Sequence, residues 1–442
     1  MFKQNLMNPT HYTRRQMLSG LGVTAVAGLA AGTVTTVNAD EKKNDALRVR
    51  SLNVLDFGAA GDGVKDDTAA FATALKTASD TGNLCVFVPR GRYLIAGHLD
   101  IPHSVTLEGV FSAPSGRTQG HGSVLLATAG AGDAKGKPFI MMHASSTLRG
   151  ITVFYPEQKM KNPPVPYPWT IRGHGDNISL IDLLLVNPYQ AVDFGTHAAG
   201  RHFIKGLYAQ ALYRGLFVDQ CFDVGRIENI HFWAFWGGWD GELYDFMKAE
   251  GIAFVIGRTD WEYMTNCFCI GYNIGFQFVQ TAAGSPNCVL TQCGSDIGPI
   301  AVKVESCQPH AGLSFVNGQF MAGIEITESN TGPVKFTSSG FWGIASTDHH
   351  AMLAGSGHTT FNGCHFIGWG QKDTKAPAIH AKRGGVTVTA CDFIDLGKAQ
   401  LTIESEVDAA LIYGNRFRGK EQLVINNAGA KAQISLNVVT PK

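Results

Sequence analysis

The stretch that decides the fold runs from Leu52 to Phe71 and reads Leu-Asn-Val-Leu-Asp-Phe-Gly-Ala-Ala-Gly-Asp-Gly-Val-Lys-Asp-Asp-Thr-Ala-Ala-Phe. Residues Val54 to Phe57 predict a short strand, and the glycines that follow permit a tight loop. A helix is expected next, because Asp and Thr are favoured where helices begin and the apolar residues then recur at spacings of three and four. Those apolar residues are Ala70, Phe71, Ala74, Leu75 and Ala78. The helix would bury one stripe against a flat apolar surface, and a buried strand is expected from Cys85 to Val88.

This segment resembles the opening of pectate-lyase-superfamily proteins, specifically the β-helix proteins that begin with Asp-Phe-Gly-Ala-x-Gly-Asp-Gly-x-x-Asp-Asp-Thr. That superfamily includes polygalacturonase-like hydrolases, exo-glucanases and phage tailspikes. The resemblance implies that the strand and helix close the N-terminal end of a coil. It also implies that Asp66 and Asp67 are structural caps and not a catalytic acid pair. The motif indicates a fold and leaves the reaction open.

The rest of the chain supports a coil independently, because short β-rich segments return with Asn, Gly or Asp between them. Phe320, Phe341, Phe366, Phe393 and Phe417 follow one another at intervals of 21, 25, 27 and 24 residues. These intervals are close to the length of one turn built from three strands. We expect each turn to add one ring to an internal stack. The predicted fold is therefore all-β, a right-handed, single-stranded parallel β-helix with an N-terminal capping helix.

The composition excludes some classes of binding partner and fits the predicted architecture. The 442 residues include 36 Lys+Arg and 36 Asp+Glu, so no general attraction to nucleic acid or acidic membranes is expected. The 52 glycines fit an architecture with many tight turns. Of the nine cysteines, most are expected to be small buried residues, because their number is odd and their spacing is not that of a zinc ribbon.

Residues 1–39 are expected to be a signal and not a domain. Thr13-Arg14-Arg15-Gln16-Met17-Leu18 precedes a weakly apolar run and resembles a twin-arginine signal, with a small-residue cleavage site at Val37-Asn38-Ala39. The sequence thus predicts export to a bacterial periplasm or the medium, without stable membrane insertion. The mature chain divides into an N-terminal opening and capping segment, 40–100, and a β-helix, 101–442.

One turn is longer than the others, with an inserted loop predicted at about 233–251. Four of the seven tryptophans lie between 233 and 261, among several carboxylates. Flat aromatic rings cover sugar rings, and paired carboxylates cleave glycosidic bonds, so this mixture is typical of a carbohydrate site. The candidate substrate-binding residues are His231, Trp233, Trp236, Trp239, Arg258, Trp261 and Tyr263.

The candidate catalytic residues are four acids of the same region. In Asp260-Trp261-Glu262 the two acids alternate with the indole, so along a continuous strand both carboxylates would project to the same side. Asp240 and Asp245 could supply a partner from the insertion. The alternative interpretation is a hydrophobic lid with solvated acids, or a contact between subunits. Arg258 could pair with Glu262 or bind a uronate carboxylate.

Two further motifs are weaker. Gly173-His174-Gly175 is similar to an element of polygalacturonases, yet its position in the chain is wrong for that family and the expected Arg-Ile-Lys is missing, which favours coincidence. Asp348-His349-His350 is expected to be an exposed turn, since adjacent histidines on a strand point to opposite faces and cannot share a metal. No metal site is predicted.

Three functions remain open at this stage. The first is a glycoside hydrolase, or a glycan-cleaving transferase of the kind found among β-helix inulin fructotransferases, that needs no cofactor. The second is a lyase on a uronate polymer, for which calcium would be the cofactor. The third is a non-catalytic, tailspike-like glycan-binding protein. A polysaccharide or oligosaccharide is the expected partner in each case, and self-association is expected by analogy, with a trimer favoured because many β-helices trimerise.

Overall fold

The computed structural model describes residues 51–344, 347–419, 421 and 423–441. The predicted signal at 1–39 lies outside the described residues. The chain winds as a parallel β-helix whose turns stack along one axis, with three faces. Each turn runs along face 1, bends onto face 2, crosses to face 3, and returns to face 1 of the next turn. The predicted fold class is confirmed.

Faces 1 and 2 share four long strands that continue around the corner between them, so the two faces form one 26-stranded sheet, while face 3 is a separate 13-stranded sheet. The shared strands are Ser179–Leu185, Phe203–Ala209, Gly225–Phe232 and Glu262–Ile270. The other strands of face 1 are Leu52–Asn53, Cys85–Val88, Thr106–Gly109, Thr147–Arg149, Cys288–Thr291, Leu313–Val316, Val334–Thr337, His358–Asn362, Gly384–Thr389, Val407–Tyr413 and Ala432–Ser435. The other strands of face 2 are Asp62–Asp66, Gly91–Ile95, Ser123–Ala127, Ile151–Phe154, Gly294–Asp296, Gln319–Phe320, Gly340–Trp342, His365–Ile367, Asp392–Phe393, Arg416–Arg418 and Val438–Thr440. Face 3 comprises Leu99–Ile101, Ile140–His143, Trp169–His174, Gln190–Phe194, Arg214–Val218, Ile252–Ile256, Ile274–Phe278, Ile300–Val304, Gly323–Ile326, Ala351–Leu353, Ile379–Ala381, Leu401–Ile403 and Val424–Asn426.

The corner between faces 1 and 2 depends on a single residue in the left-handed conformation in many of the turns. Asn229, Asn266 and Asn317 have φ angles of 56°, 54° and 54°. Asparagine tolerates this conformation better than most side chains, and glycine takes it freely. The Asn266 side chain also donates to the Asn229 side chain of the preceding turn at 2.7 Å. The Asn and Gly residues that recur in the sequence therefore mark the corners of the coil.

The five phenylalanines predicted to stack do so inside the coil. Ring centroids of successive members lie 5.6, 4.8, 4.8 and 5.1 Å apart. These separations follow from the spacing of neighbouring strands, about 4.8 Å. A second stack, Phe315, Phe336 and Phe361, has centroids 4.6 and 5.2 Å apart. The core is thus built from like side chains repeated turn upon turn.

The N-terminal end is covered by a helix, Thr68–Thr81, which buries the five apolar positions predicted for it. Asp66 Oδ1 accepts from the backbone N–H of Thr68 at 3.0 Å. The Asp67 carboxylate accepts from two backbone N–H groups of the glycine loop, those of Ala60 and Gly61. Both acids are therefore structural. The predicted strand Val54–Phe57 is wrong: these residues form a 3₁₀-helix, and the adjacent pairing strand is Leu52–Asn53.

The insertion contains a second helix, Glu242–Glu250, that the sequence analysis treated as loop. It begins after Gly241, with Glu242 and Asp245 in its first turn and Lys248 in its last, an arrangement that complements the helix dipole. Leu243, Tyr244, Phe246 and Met247 are buried, which fixes the helix against the coil. A short 3₁₀-helix, Gly429–Lys431, lies near the C-terminal end.

All nine cysteines lie in the described part of the chain and are free thiols, and all except Cys85 are buried. This confirms their expected role as small core residues. Within the described residues, neither helix has the length and apolar character needed to cross a bilayer.

Candidate active site

The predicted pair of acids, Asp260 and Glu262, is separated by the backbone at Trp261. Trp261 has a φ of 61°, so the alternation expected of a continuous strand is broken before the strand begins at Glu262. The Trp261 side chain is 60% exposed, whereas that of Glu262 is completely buried and contacts His202 Nε2 at 3.0 Å. The expectation that both carboxylates project to the same side is therefore wrong, because Glu262 points into the coil and cannot reach a polysaccharide.

Asp260 instead lines a cleft of about 260 Å³ at the corner between faces 3 and 1. We call this the acidic cleft; it is lined by Phe222, Asp223, Asp260, Trp261, Asn287, Gln308 and His310. Asp260 Oδ2 lies 2.8 Å from Arg258 Nη2, and its Oδ1 accepts from Gln308 Nε2 at 3.0 Å. Arg258 therefore pairs with Asp260 and not with Glu262. Tyr263 lies outside this set, exposed on face 1.

The tryptophans of the insertion form a different cleft, of about 560 Å³. This aromatic cleft is lined by Pro114, Ser115, Gly116, Arg117, Trp233, Ala234, Phe235, Gly238, Trp239 and Asp240. His231 stacks on Trp233 with ring centroids 4.1 Å apart, and burial lowers the pKa of His231. Trp236 is buried in the core and does not line the cleft. Asp245 is exposed on the inserted helix, outside the lining set, so the predicted catalytic acids are distributed over separate places.

Face 3 carries a group of residues that the sequence analysis did not bring together, which we call the histidine cluster: His143, Arg172, His174 and His197. The rings of His174 and His197 stack with centroids 4.4 Å apart, and His143 lies 6.2 Å from His174. Asp100 Oδ1 contacts His143 Nε2 at 3.0 Å. The coil makes this cluster because His143 and His174 are paired in register on adjacent strands.

Asp193 holds the centre of the histidine cluster in place. Its side chain is fully buried and lies 2.5 Å from Arg172 Nε. It also accepts from the backbone N–H groups of Gly195 and Thr196, at 3.0 and 2.8 Å, and from the Thr196 hydroxyl at 2.6 Å. These bonds fix both the guanidinium and the turn that carries His197. Since Asp193 contacts only Nε, and no described residue accepts from the terminal nitrogens of Arg172, that end of the guanidinium can bind a carboxylate.

The electrostatics of the cluster keep His197 neutral. Burial lowers its pKa, and the neighbouring His174 and Arg172 lower it further, against an opposing contribution from Asp193. A neutral imidazole near pH 7 can accept a proton. The cluster therefore places a proton acceptor beside a cation.

A line of exposed ion pairs joins the histidine cluster to the acidic cleft. Arg201 contacts Asp176 at 2.6 Å through Nη2 and Asp223 at 3.1 Å through Nη1. Asp223 lines the acidic cleft, and the pKa of its carboxyl is lowered by the Val224 backbone N–H and by Arg201. The histidine cluster, the ion pairs of Arg201 and the acidic cleft follow one another along the coil axis, on successive turns at the edge between faces 3 and 1.

The weaker sequence motifs have different outcomes. The Gly173-His174-Gly175 motif was interpreted as a coincidental similarity to polygalacturonases. In the structure its histidine, His174, belongs to the histidine cluster. The predicted exposed turn at Asp348-His349-His350 is wrong for His350, which is buried with Nε2 3.0 Å from the Ile367 carbonyl. His349 Nδ1 contacts the Pro377 carbonyl at 2.9 Å, so the two rings have separate partners.

Comparison with known proteins supports the sequence resemblance. Residues 51–162 match the family described as Rhamnogalacturonase A/epimerase, pectate lyase-like. The chain is a parallel β-helix protein, and over residues 51–162 it is similar to this pectate lyase-like family. The match contains the N-terminal cap and the first turns of the coil.

Similar curated proteins include mannuronan C5-epimerases AlgE1 and AlgE5 of Azotobacter vinelandii. Each is 51% identical to this chain over 45 residues, which is 10% of this chain and 3% and 4% of the respective relatives. The chain thus spans a very small part of these relatives.

Solved structures share the fold over most of the chain. The N-terminal fragment of gene product 12 of bacteriophage phi29 has a TM-score of 0.64 at 14% identity, covering 91% of this chain and 72% of that one. The tailspike of E. coli bacteriophage HK620 in complex with a pentasaccharide has a TM-score of 0.60 at 11% identity, covering 90% and 79%. At these identities the likeness establishes the β-helix alone.

Proposed function

We propose that this β-helix protein acts on a uronate-containing polysaccharide by removing the proton α to the sugar carboxylate, at the histidine cluster. The observation that carries the proposal is the position of a neutral His197 beside an Arg172 whose terminal nitrogens are available. Abstraction of a proton next to a carboxylate needs a base near neutrality and a cation that stabilises the charge that develops on the carboxylate. The cluster supplies both groups.

In this reaction Arg172 binds the uronate carboxylate through its terminal nitrogens. His197 takes the proton from C5, and the electron pair of the broken C–H bond moves onto the carboxylate, where the guanidinium stabilises it. Asp193 acts as a positioning residue, since it orients Arg172 and the 195–197 turn without facing the polymer. His174, stacked on His197, can protonate the departing oxygen if the chain is cleaved, whereas inversion at C5 takes its proton from solvent water on the opposite side of the sugar.

Two outcomes branch from the same carbanion. If the bond from C4 to the glycosidic oxygen breaks, the electron pair forms a C4–C5 double bond, the departing oxygen receives a proton, and the chain is cleaved as by a lyase. If C5 instead receives a proton from the opposite side, the sugar is inverted and the chain stays intact. The short match to proteins named mannuronan C5-epimerases supports inversion at C5. Cleavage as by a lyase is the second of the three functions left open by the sequence.

The acidic cleft would bind sugars beyond the reacting unit. Trp261 and Phe222 offer exposed aromatic faces at its rim, which suit the apolar side of a sugar ring. Because neighbouring turns are about 4.8 Å apart, a polymer along this edge meets a new set of side chains at each turn. Histidine cluster and acidic cleft would then be parts of one binding path.

Glycoside hydrolysis, the first hypothesis from sequence, keeps one supporting observation: Asp223 and Asp260 line the same cleft as Trp261. A glycosidase requires one carboxyl that stays protonated near neutral pH. Asp223 does not fit that role, because the Val224 N–H and Arg201 lower its pKa. Hydrolysis is therefore the second candidate.

The test is the identity of the product. Purified protein is incubated in D₂O with mannuronan and, separately, with polygalacturonate, with and without added calcium. We expect deuterium at C5, or an unsaturated product that absorbs in the ultraviolet. New reducing ends carrying oxygen from labelled water, without C5 exchange, would replace this proposal with hydrolysis. Binding without any reaction would favour the glycan-binding alternative.

We also propose export by the twin-arginine route, on the basis of the Arg14-Arg15 segment. Fusion of residues 1–45 to a reporter that is active only after folded export tests this, with Arg14→Lys and Arg15→Lys together as the variant expected to abolish export. Trimer formation is proposed from the sequence expectation alone, and light scattering measures it.

A further inference from the structure

Three buried side chains from different turns meet inside the coil, directly beneath the acidic cleft. They are His202, Cys221 and Glu262, and one ligand atom from each lies within 4.8 Å of the others. The residue that was expected to be a surface acid, Glu262, is thus one corner of a nitrogen, sulfur and oxygen triangle. Nothing in the proposed sugar chemistry uses these groups.

The coil brings the triangle together. His202 precedes the shared strand Phe203–Ala209, and Glu262 is the first residue of the shared strand Glu262–Ile270. Cys221 lies between them, where its backbone forms an isolated bridge with Thr259. All three therefore sit at the corner where the chain returns from face 3 to face 1. Their separations in sequence, 19 and 41 residues, match no metal-binding motif, so the sequence alone predicts no metal site here.

The hydrogen bonds of His202 and Cys221 show how these two groups are held beside Glu262. His202 Nδ1 lies 2.8 Å from the Ala199 carbonyl, so it carries the proton and donates there, while Nε2 faces Glu262 Oε1 at 3.0 Å. An imidazole held in this way by a backbone carbonyl is the usual state of a histidine that binds metal. Cys221 donates its S–H to the Asp223 carbonyl at 2.7 Å, and this hydrogen bond is replaced when the thiol loses its proton to bind a cation.

An independent observation indicates that a partner belongs in this space. Glu262 Oε2 is buried and has no hydrogen-bond partner among the described residues. A buried carboxylate oxygen without a partner is costly. Gly225 is also required next to it, because a Cβ at that position would collide with the Glu262 carboxylate. The chain therefore accommodates a charged group here and leaves one of its oxygens unsatisfied.

We propose that His202, Cys221 and Glu262 bind a zinc-type divalent cation in a buried, structural site. Thiolate, imidazole and carboxylate are the ligand types that zinc takes, at bond lengths of about 2.0–2.3 Å. In a tetrahedron those lengths place ligand atoms roughly 3.3–3.6 Å apart, so the triangle closes by about 1 Å at its widest. A water molecule would take the fourth position, because the two oxygens of one carboxylate are too close together to occupy two corners of a tetrahedron. Because all three residues are buried, the cation would fasten three turns beneath the cleft and would not contact the polymer.

The main test is elemental analysis of untagged protein produced in zinc-supplemented medium and dialysed against a chelator. We expect close to one zinc per chain, because a buried site exchanges slowly. Two results together would overturn the proposal. The folded protein would contain less than a tenth of a zinc per chain, and protein refolded with zinc would have the same unfolding temperature as protein refolded without it. That outcome would identify His202 and Glu262 as a buried ion pair only.

Cobalt substitution provides a second measurement, made first on the wild-type protein and then on two folded variants. Protein produced with Co²⁺ should show the near-ultraviolet charge-transfer absorption of a cobalt–thiolate bond. The absorption should disappear in Cys221→Ser and remain in Cys307→Ser, which alters another buried thiol. Absorption that survives in Cys221→Ser would refute the site. Metal content and polysaccharide activity are measured separately, so failure of one proposal leaves the other open to its own test.

Discussion

Replacing His197 with Gln removes the group to which we assign proton abstraction, while changing little else. Glutamine is similar in size and can form hydrogen bonds, but it cannot take up a proton. The expected loss in kcat is about 10²–10⁴-fold, the usual contribution of a general base. This corresponds to about 2.7–5.5 kcal/mol in the activation free energy.

The structure predicts that this variant folds. His197 is partly exposed in the turn after the face 3 strand Gln190–Phe194, and Asp193 holds that turn through Gly195 and Thr196 and not through the imidazole. The main loss is stacking on His174, whose ring is 4.4 Å away, which is worth about 0.5–1.5 kcal/mol. The free energy of unfolding should therefore fall by less than about 1.5 kcal/mol, as measured by urea denaturation.

The assay is the initial rate of C5 deuterium exchange, or of unsaturated product, on the polymer that the wild-type protein uses. His358→Gln is the matched control, since His358 is an exposed histidine on face 1 and should retain the wild-type rate. A fully folded His197→Gln protein with more than a third of the wild-type kcat would refute the assignment of the base.

Three further predictions concern the same path and the core. Burial and the neighbouring His174 and Arg172 lower the pKa of His197, so the imidazole stays neutral at pH values below the ordinary histidine pKa of about 6.5. With decreasing pH, kcat/KM should therefore fall only below that value. A fall in kcat/KM centred above pH 7 would contradict this. Trp261→Ala should raise KM roughly 2–10-fold by removing an exposed ring worth about 0.5–1.5 kcal/mol, whereas Tyr263→Ala, outside the cleft, should leave KM unchanged; equal effects in a kinetic comparison would argue against the binding path. Phe341→Ala should lower the free energy of unfolding by about 3–5 kcal/mol, the cost of truncating a buried phenylalanine, as measured by urea denaturation, and a loss below 1 kcal/mol would mean that the stack does not carry the core.

The fold was predictable because a coil repeats its physical requirements at every turn. The recurrent phenylalanines and the Asn and Gly corners each report the same geometry many times, so one irregular turn does not hide the pattern. The strand predicted at Val54–Phe57 failed because its apolar residues form a 3₁₀-helix that precedes the αL residue Gly58. Short apolar runs do not distinguish these two states.

The candidate site was predictable only in part. Exposed Trp261 and partly exposed Asp260 do line a cleft, but the pairing of Asp260 with Glu262 assumed a straight strand, and the left-handed backbone at Trp261 reverses the direction of the second acid. The histidine cluster needs the register between turns, since His143 and His174 are 31 residues apart and meet only when their strands align. The buried triangle of His202, Cys221 and Glu262 has the same origin.

The single left-handed residue at the corner of faces 1 and 2 also determines where such a protein can change in length. With one residue making the bend, an added residue there would throw the next strand out of alignment with the strand below it. The other two edges tolerate connections from two residues, as at 382–383, to nineteen, as at 233–251. From residue 147 onward, natural variants and grafted loops should therefore differ in length at those two edges, one of which carries the acidic cleft. The corner between faces 1 and 2, which has long connections only at 54–61 and 110–122, should stay constant there and keep the turns aligned.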